Sequence, residues 1–240
     1  MTNLLFPFDS YIQYFEAKIL AVDEESRTLV LDQTAFFPGG GGQPADRGAL
    51  ESGGLIYQVS KVRKVGDDVV HYIDGDLPLP SPGIQVRGQI DWQRRYSLMR
   101  VHTAMHILCG VIFRDYGAQV TGGDMDPLQV RMDFEFESMV RELVDEIQAS
   151  INREVQNARP IRVTVLPRAE AFQIPDLIRT KINLLPEGIQ EVRIVEIVGL
   201  DLQADGGTHV SNTSEVGEIR IVDYKSKGKI NKRIYIELAA

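Results

Sequence analysis

Hydrophobic and polar residues alternate through the first 90 positions, in short segments separated by turns that contain Gly, Asp and Pro. Alternation with a period of two is typical of β-strands that bury one face. Short strands at this spacing favour a small antiparallel β-barrel, and no long helix is predicted among them. The predicted strands cover residues 12–22, 27–31, 55–65, 69–73 and 84–90.

Beyond residue 90 the apolar positions recur at helical spacing, so we place a domain boundary near residue 91. Asp91 is a good N-cap, and a helix is predicted over 92–115 that ends at Gly117. Ser138 is predicted to cap a second helix. Its apolar stripe contains Val140, Leu143, Val144, Ile147, Ile151 and Val155.

The rest of the second part is predicted to contain a loop over 120–127, a short helix with a loop over 170–185, and several strands. These strands cover residues 129–136, 161–166, 189–198, 219–224 and 233–238. Helices laid on an antiparallel sheet give an α+β fold. We therefore predict a β-barrel-like domain over 1–90 and an α+β domain over 91–240.

Two pairs of candidate metal ligands stand four residues apart. His102 and His106 lie in the predicted helix, where this spacing places both imidazoles on one face, about 6 Å apart along the axis. Asp205 and His209 lie in a predicted turn that contains two glycines. Three imidazoles and one carboxylate are a plausible ligand set for Zn²⁺. The alternative is a half-buried histidine pair that only forms hydrogen bonds.

The composition restricts the class of protein. The 240 residues are 43% hydrophobic, which is enough for one large or two small folded cores. The single cysteine, Cys109, excludes an intrachain disulfide framework, and at about 10.5 Å along the helix from His102 it is predicted to pack in the core. No signal peptide or membrane span is predicted, so we expect a cytoplasmic protein with no membrane partner and no evident obligate protein partner.

Four consecutive glycines at residues 39–42 lie between two predicted strands. Ordering such a run costs conformational entropy, which favours a place where the backbone adopts positive φ or approaches a ligand closely. Pro38, Gln43 and Pro44 flank the run and favour a fixed loop, while a flexible hairpin loop is the alternative. The run does not match a phosphate-binding P-loop, because neither the lysine of that motif nor a helix follows it.

The net charge of −8 argues mildly against a nucleic-acid partner, but the charges are unevenly distributed. Residues 220–233 contain six basic side chains and one acid, and Arg94, Arg95 and Arg100 precede the histidine pair. A solvated surface is the common explanation of such runs. A row of lysines on a predicted hairpin could also follow a phosphate backbone.

Four ordered segments, residues 36–44, 100–106, 206–217 and 227–234, together resemble the AlaX family. This family comprises free-standing relatives of the editing domain of alanyl-tRNA synthetase. The resemblance extends from about residue 10 to the C-terminus, and the glycine-rich N-terminal part resembles the medium-length type. It implies a hydrolase that removes wrongly attached serine from the acceptor end of alanine tRNA, with glycine as a further substrate left open.

The resemblance also implies one zinc ion per chain, bound through a His-x-x-x-His and a Cys-x-x-x-His motif. The first pair corresponds to His102 and His106 and the last ligand to His209, whereas Asp205 stands where the family often has cysteine. A carboxylate is a harder ligand than a thiolate. Asp205 therefore leaves three possibilities open: weaker zinc binding, another divalent metal, or a three-histidine site completed by water.

Further site residues are predicted in these segments and beside them. Thr34 and Gln43, beside the glycine run, are the candidate catalytic residues that distinguish serine from alanine through the serine hydroxyl. Gly40, Gly41, Gly42 and Thr208 are the candidate substrate contacts. The candidate tRNA contacts are Arg94, Arg95, Arg100, Lys225, Lys227, Lys229, Lys232 and Arg233.

Two other functions remain open from the sequence. One is a non-catalytic tRNA-binding module with a structural metal, which a closed four-ligand site favours. The other is a metal-dependent hydrolase of small acyl esters or amides, which comparable activity on a small seryl ester favours.

Overall fold

The alternating segments of the N-terminal part form strands that close into a barrel. The structure is a computed structural model that describes residues 1–179, 185 and 188–239. The chain divides into two compact units, Met1–Tyr96 and Ser97–Ala240. The strands of the first unit are β1 (Asn3–Leu4), β2 (Tyr14–Asp23), β3 (Thr28–Leu31), β4 (Gln33–Thr34), β5 (Gly48–Ser52), β6 (Leu55–Val65), β7 (Asp68–Ile73) and β8 (Gln85–Ile90). Six of them close an antiparallel barrel in the order β2-β3-β7-β6-β5-β8, which confirms the predicted fold of this part.

The barrel core follows from the alternation along its strands. Residues of β8 alternate between exposed and buried along its whole length. Gly88 in this strand makes room for an aromatic ring, since a Cβ there would lie 2.2 Å from Cε1 of Phe15. Phe15 contacts Phe36 edge-on, with 5.8 Å between ring centroids. The segment that leads into the glycine run is therefore packed against the barrel core.

The strand β5 is a part of the barrel that the sequence does not predict. It contains few apolar side chains, so its side-chain pattern carries little signal. The strand nevertheless pairs with both β6 and β8. Hydrogen bonding of its backbone to two neighbours defines β5, and this pairing depends on tertiary structure.

A long helix, α1 (Trp92–Tyr116), follows the barrel and carries the histidine pair. Oδ1 of Asp91 caps it by accepting a hydrogen bond from the backbone N–H of Arg94 at 3.1 Å, and Gly117 follows its end with a φ of +65°. The helix predicted over 92–115 is confirmed. By length and composition α1 could cross a membrane, but 78% of its apolar window is buried inside the protein, as expected of a core helix. Cys109 is buried, as predicted.

The C-terminal unit combines α1 with two antiparallel sheets and further helices. Its elements are β9 (Val120–Asp126), β10 (Gln129–Glu135), α2 (Arg141–Gln156), β11 (Ile161–Pro167), α3 (Arg168–Ala171), β12 (Glu191–Ile197), β13 (Asp201–Ala204), β14 (Ile219–Ser226) and β15 (Asn231–Leu238). One sheet has the order β14-β15-β10-β9 and the other β11-β12-β13. The predicted α+β class is confirmed. Residues 180–184, part of the segment predicted as short helix and loop, lie outside the described residues.

Two local predictions for this unit are wrong. The loop expected over 120–127 is the strand β9, which pairs with β10 although it contains two glycines. Gly123 lies close to α1, since a Cβ there would lie 3.1 Å from Cε of Met105. Ser138 does not cap the second helix, because α2 begins at Arg141 and the exposed Val140 is its N-cap. Of the predicted stripe, Val144, Ile147, Ile151 and Val155 are buried, whereas Leu143 is half-buried and Val140 is exposed.

Candidate metal centre

Four candidate ligands meet in the C-terminal unit. The helix α1 supplies His102 and His106, and the turn after β13 supplies Asp205 and His209. Each residue offers one ligand atom, and these atoms all lie within 4.8 Å of one another. The three histidines are buried, and the side chain of Asp205 is 13% exposed. The structure thus brings the two predicted pairs together, and we call these four residues the histidine–aspartate cluster.

The turn that carries Asp205 is held by its own side chain and by β12. Oδ2 of Asp205 accepts a hydrogen bond from the backbone N–H of Gly207 at 2.8 Å, a turn typical of aspartate. The same oxygen lies 2.9 Å from Nε2 of His209, and Oδ1 lies 3.5 Å from Nε2 of His102. The backbone N–H of Asp205 donates to the carbonyl of Arg193 in β12 at 3.0 Å. The carboxylate is therefore fixed between the two histidines.

His106 and His209 each form a hydrogen bond with a side chain outside the cluster. Nδ1 of His106 lies 3.1 Å from Oδ2 of Asp201, and Nδ1 of His209 lies 3.1 Å from the hydroxyl of Thr103. Partners of this kind fix the orientation and the tautomer of a histidine that binds metal. Both bonds involve Nδ1, which leaves Nε2 of each ring for the cluster.

Asp201 and Thr103 are two of the residues of the site that sequence reasoning missed. Thr103 directly follows His102 in the sequence. Its position on the helix does not indicate that its hydroxyl contacts His209, which is far away in the chain. Asp201 carried a weak signal, because it is an acid beside apolar residues, and a buried acid needs a hydrogen-bonding partner. Only the packing of β13 against α1 shows which partner it has.

Three of the four side chains in the cluster favour the protonation state that a metal ligand needs, and His106 is the exception. Burial lowers the pKa of His102 to about 4 and lowers the pKa of His209 well below its usual value. Burial opposes ionisation of Asp205, but the imidazoles of His102 and His209 outweigh it and hold the pKa of Asp205 well below its usual value. At His106 the hydrogen bond to Asp201 outweighs burial and raises the pKa. A neutral imidazole and an ionised carboxylate are the forms that bind metal.

The donor set fits a divalent transition metal. Imidazole nitrogens suit zinc, copper, iron and nickel, and a carboxylate also suits harder ions. Four protein ligands match the coordination number of zinc, and buried histidines with outer hydrogen bonds are usual in such sites. The cluster can therefore hold one metal ion.

The glycine run, residues 39–42, is a fixed turn in the N-terminal unit. All four glycines have positive φ, between +60° and +141°. Gly40 and Gln43 exchange two backbone hydrogen bonds of 3.1 and 3.0 Å. Residues with side chains rarely adopt this backbone region, so the turn depends on glycine. These features support the fixed loop over the flexible one.

A buried ion pair anchors the segments on both sides of the glycine run. Nε of Arg95 lies 3.0 Å from each carboxylate oxygen of Asp46, and its Nη2 also pairs with Oδ2. Oδ2 of Asp46 accepts from the backbone N–H of Phe37 at 2.6 Å, and Nη2 of Arg95 donates to the carbonyl of Ala35 at 2.7 Å. The tRNA contact predicted for Arg95 is withdrawn, because its guanidinium is fully buried and engaged in these bonds.

Thr34 and Gln43, the predicted catalytic residues, are both buried in the N-terminal unit. Nδ1 of His71 lies 3.2 Å from the carbonyl of Leu29, and its Nε2 lies 2.9 Å from the hydroxyl of Thr34. A carbonyl only accepts, so Nδ1 carries the hydrogen and the Thr34 hydroxyl donates to Nε2. The hydroxyl oxygen accepts from the backbone N–H of Phe36 at 3.2 Å. The catalytic role of Thr34 and Gln43 stays a prediction.

The predicted substrate contacts differ in exposure. Gly40, Gly41 and Gly42 are exposed, and a Cβ at Gly40 or Gly41 would contact nothing within 4 Å. Thr208 is fully buried beside the cluster, where its backbone forms a hydrogen bond with His102. Thr208 is therefore joined to a candidate ligand through its backbone, and its role in substrate binding stays a prediction.

The first half of the basic hairpin formed by β14 and β15 exposes its lysines. Lys225, Lys227 and Lys229 are exposed to solvent. Nζ of Lys225 forms an ion pair with Asp223 at 2.8 Å. Lys227 and Lys229, at the tip of the hairpin, are therefore the best placed of the three to meet a phosphate backbone.

The other two predicted tRNA contacts on the hairpin, Lys232 and Arg233, form bonds within the protein. Nζ of Lys232 is buried and donates to the carbonyls of Gly228 and Lys229 at 2.9 and 3.0 Å. Arg233 forms an ion pair with Asp133 at 2.6 Å. Burial excludes Lys232 as a surface contact, and the tRNA role predicted for it is withdrawn.

Arg94 and Arg100, the other two predicted tRNA contacts on α1, are partly buried. Nη2 of Arg100 donates to the carbonyls of Val216 and Ala239 at 3.0 and 2.8 Å. Nη2 of Arg94 lies 3.5 Å from the carbonyl of Ala45, a contact at the limit of hydrogen bonding. Both stay candidate tRNA contacts.

Comparison with known proteins identifies the family. The chain is 39% identical over 242 residues to the alanyl-tRNA editing protein AlaX-M of Methanosarcina barkeri, and the match covers 99% of both chains. It is 40% identical over 239 residues to the AlaX-M protein of Saccharolobus solfataricus, with 98% of both chains covered. This chain belongs to the AlaX-M family of alanyl-tRNA editing proteins.

Other matches agree with membership of AlaX-M. Residues 192–235 match the family described as threonyl and alanyl tRNA synthetase second additional domain, and residues 10–94 match class II (A) tRNA synthetases. An alanine–tRNA ligase of Ignicoccus hospitalis is 40% identical over 227 residues, which are 92% of this chain and 24% of the ligase. The resemblance to AlaX in four segments of the sequence is confirmed.

Proposed function

We propose that this protein hydrolyses serine from wrongly charged alanine tRNA, as a trans-acting deacylase of the cytoplasm. The strongest support is the histidine–aspartate cluster, in a chain whose relatives are named alanyl-tRNA editing proteins. Glycine on the same tRNA is a further candidate substrate. The bond to be cleaved is the ester between the amino acid and the terminal ribose.

One divalent metal ion, zinc in the first instance, is proposed to bind to the three histidines of the cluster with Asp205 as the fourth candidate ligand, and an ion that still admits water or substrate would separate this deacylase from a closed structural site. When bound, such an ion polarises an ester carbonyl or lowers the pKa of a water molecule toward about 7. The chain contributes buried imidazoles held in one orientation by their outer hydrogen bonds. Because Asp205 offers oxygen in place of the usual sulfur, selectivity for zinc over harder ions should be lower than in a thiolate site.

Rejection of alanine is proposed to depend on a hydrogen bond with the serine hydroxyl. A site that pairs its polar groups with a hydroxyl rejects an analogue that lacks it, because those groups are then left unpaired. The hydroxyl hydrogen of Thr34 is already donated to His71, so Thr34 can offer serine only a lone pair. Gln43, Gly40, Gly41, Gly42 and Thr208 are the other proposed contacts.

The purified protein is expected to deacylate seryl-tRNA faster than alanyl-tRNA, both on alanine tRNA, by about a hundredfold or more. Removing the metal with a chelator should abolish the reaction, and added zinc should restore it. The Thr34→Val variant should lose most of the preference for serine. Rates of release of labelled amino acid measure all three effects.

The same assay separates the other functions. Binding of seryl-tRNA without any deacylation would favour a non-catalytic module with a structural metal. Equal rates on a small seryl ester and on seryl-tRNA would favour a hydrolase of small esters. Unchanged selectivity in Thr34→Val would mean that Thr34 does not recognise serine. This result would not contradict the proposed deacylase function.

The acceptor end of tRNA is proposed to lie along the basic hairpin, with Lys227 and Lys229 as the main contacts. Replacing both with glutamine should weaken tRNA binding and flatten its dependence on salt. Each phosphate contact contributes about 0.7 to 0.9 to the slope of log K against log salt, so the slope should fall by about 1.4 to 1.8. Filter binding at several salt concentrations measures the slope.

Lys225→Gln is the matched control for this experiment. Its ammonium group lies on the same hairpin but already pairs with Asp223 at 2.8 Å, so its replacement should change the slope less. An unchanged slope in the double variant would place the tRNA on another surface.

A further inference from the structure

We propose that Asp201 is a positioning residue that holds the imidazole of His106 for metal binding, a role that rests on the proposed metal-dependent function. Oδ2 of Asp201 lies 3.1 Å from Nδ1 of His106, and the carboxylate is completely buried. Asp201 is not one of the four candidate ligands. It acts on the metal centre only through His106.

The hydrogen bond fixes which nitrogen of His106 is available. An ionised carboxylate can only accept, so in the ligating form the hydrogen of His106 lies on Nδ1 and the lone pair on Nε2. Carboxylate–histidine pairs of this kind orient the ring and make the free nitrogen a stronger ligand. Without Asp201 the ring of His106 could rotate or exchange its tautomer.

Asp201 is itself held in place by two side chains. Nε2 of Gln203 donates to Oδ2 of Asp201 at 2.7 Å, and Nε of Arg179 lies 3.4 Å from Oδ1. The guanidinium of Arg179 packs over the ring of Phe113 at 3.8 Å. The oxygen that faces His106 is thus braced by Gln203, while the other oxygen faces the arginine.

The close approach of α1 and β13 at this point depends on Gly110. A Cβ at Gly110 would lie 2.9 Å from Cβ of Asp201, closer than real atoms allow. Gly110 stands four residues after His106, on the same face of the helix. The missing side chain therefore lets Asp201 approach the helix within hydrogen-bonding distance of His106.

A purely structural role for Asp201, as a partner of Arg179, predicts a loss of stability without a change in metal binding. Zinc affinity distinguishes the two roles and is measured on metal-free protein by competition with a chromophoric chelator. Asp201→Ala and Asp201→Asn are expected to bind zinc about 10–100-fold more weakly than the wild type, the usual loss for an outer partner. Asparagine keeps an acceptor oxygen, so its effect should be the smaller one.

Glu154→Gln is the matched control. Glu154 lies in the same unit, its side chain is 5% exposed, and it pairs with Arg114 and Arg159 at 2.5 and 2.6 Å. Among the described residues, no hydrogen bond or ion pair joins Glu154, Arg114 or Arg159 to a candidate ligand. The zinc affinity of the Glu154→Gln variant should therefore equal that of the wild type.

Visible absorption of the cobalt-loaded protein adds a readout of ligand geometry. The spectrum of Asp201→Asn should differ from the wild type, and that of Glu154→Gln should not. A folded Asp201→Asn variant with wild-type zinc affinity and an unchanged spectrum would overturn the assignment. Neither measurement uses tRNA, so failure of the wild type to deacylate seryl-tRNA would refute the proposed function alone.

Discussion

Substitution of His209 by alanine is expected to lower kcat/KM for seryl-tRNA by about a thousandfold. A bound metal contributes several kcal/mol to transition-state stabilisation, and about 4 kcal/mol corresponds to a factor of about a thousand in rate. Nε2 of His209 lies 2.9 Å from Asp205, and its ring centroid lies 4.3 Å from that of His102. The substitution therefore removes one candidate ligand and its contacts with the candidate ligands Asp205 and His102.

Deacylation kinetics and the zinc content of the same preparation test this expectation together. Cys109→Ala is the control, because Cys109 is buried on α1 three residues after His106 and is not a candidate ligand. It should keep its zinc and most of its activity. If the His209→Ala variant contained no zinc and kept full activity, the metal would have no role in the reaction.

Spacing along the chain was enough to predict each pair of candidate ligands, but the meeting of the two pairs and their outer partners required the fold. Residues four apart share a helix face whatever the rest of the protein does, so His102 and His106 could be paired from sequence. The bond between Asp201 and His106 joins positions 95 apart. It depends on how β13 packs against α1, and no local pattern encodes that contact.

Charge counts in the sequence were a weaker guide than spacing. The basic segments predicted eight tRNA contacts, but the structure engages several of these side chains within the protein. Arg95 is buried against Asp46, Lys232 donates to two carbonyls, and Arg233 pairs with Asp133. A basic side chain can bind a nearby carboxylate or carbonyl of the protein as well as a phosphate. The sequence does not show which of these groups lies near each basic residue.

Replacing Asp46 with asparagine is expected to destabilise the folded chain by about 3–5 kcal/mol, the usual cost of removing one partner of a buried ion pair. Arg95 is completely buried, so its positive charge would be left uncompensated. The backbone N–H of Phe37 would lose its carboxylate acceptor as well. Urea unfolding followed by circular dichroism measures the loss.

Asp145→Asn is the control for this experiment. Asp145 pairs with Arg141 on the surface, where the two side chains are 56% and 74% exposed, and such pairs contribute about 0–1 kcal/mol. A loss in Asp46→Asn as small as in this control would mean that water or other groups compensate Arg95 after all.

Adding Arg95→Met to Asp46→Asn should recover part of the lost stability. The cost of the single variant comes mainly from an uncompensated buried charge, and methionine removes that charge while filling part of the space. The two substitutions should therefore be non-additive in the direction of recovery. Additive losses would mean that Asp46 and Arg95 act independently. The glycine run would then depend mainly on the backbone bonds between Gly40 and Gln43, and the ion pair would have no special part in holding it.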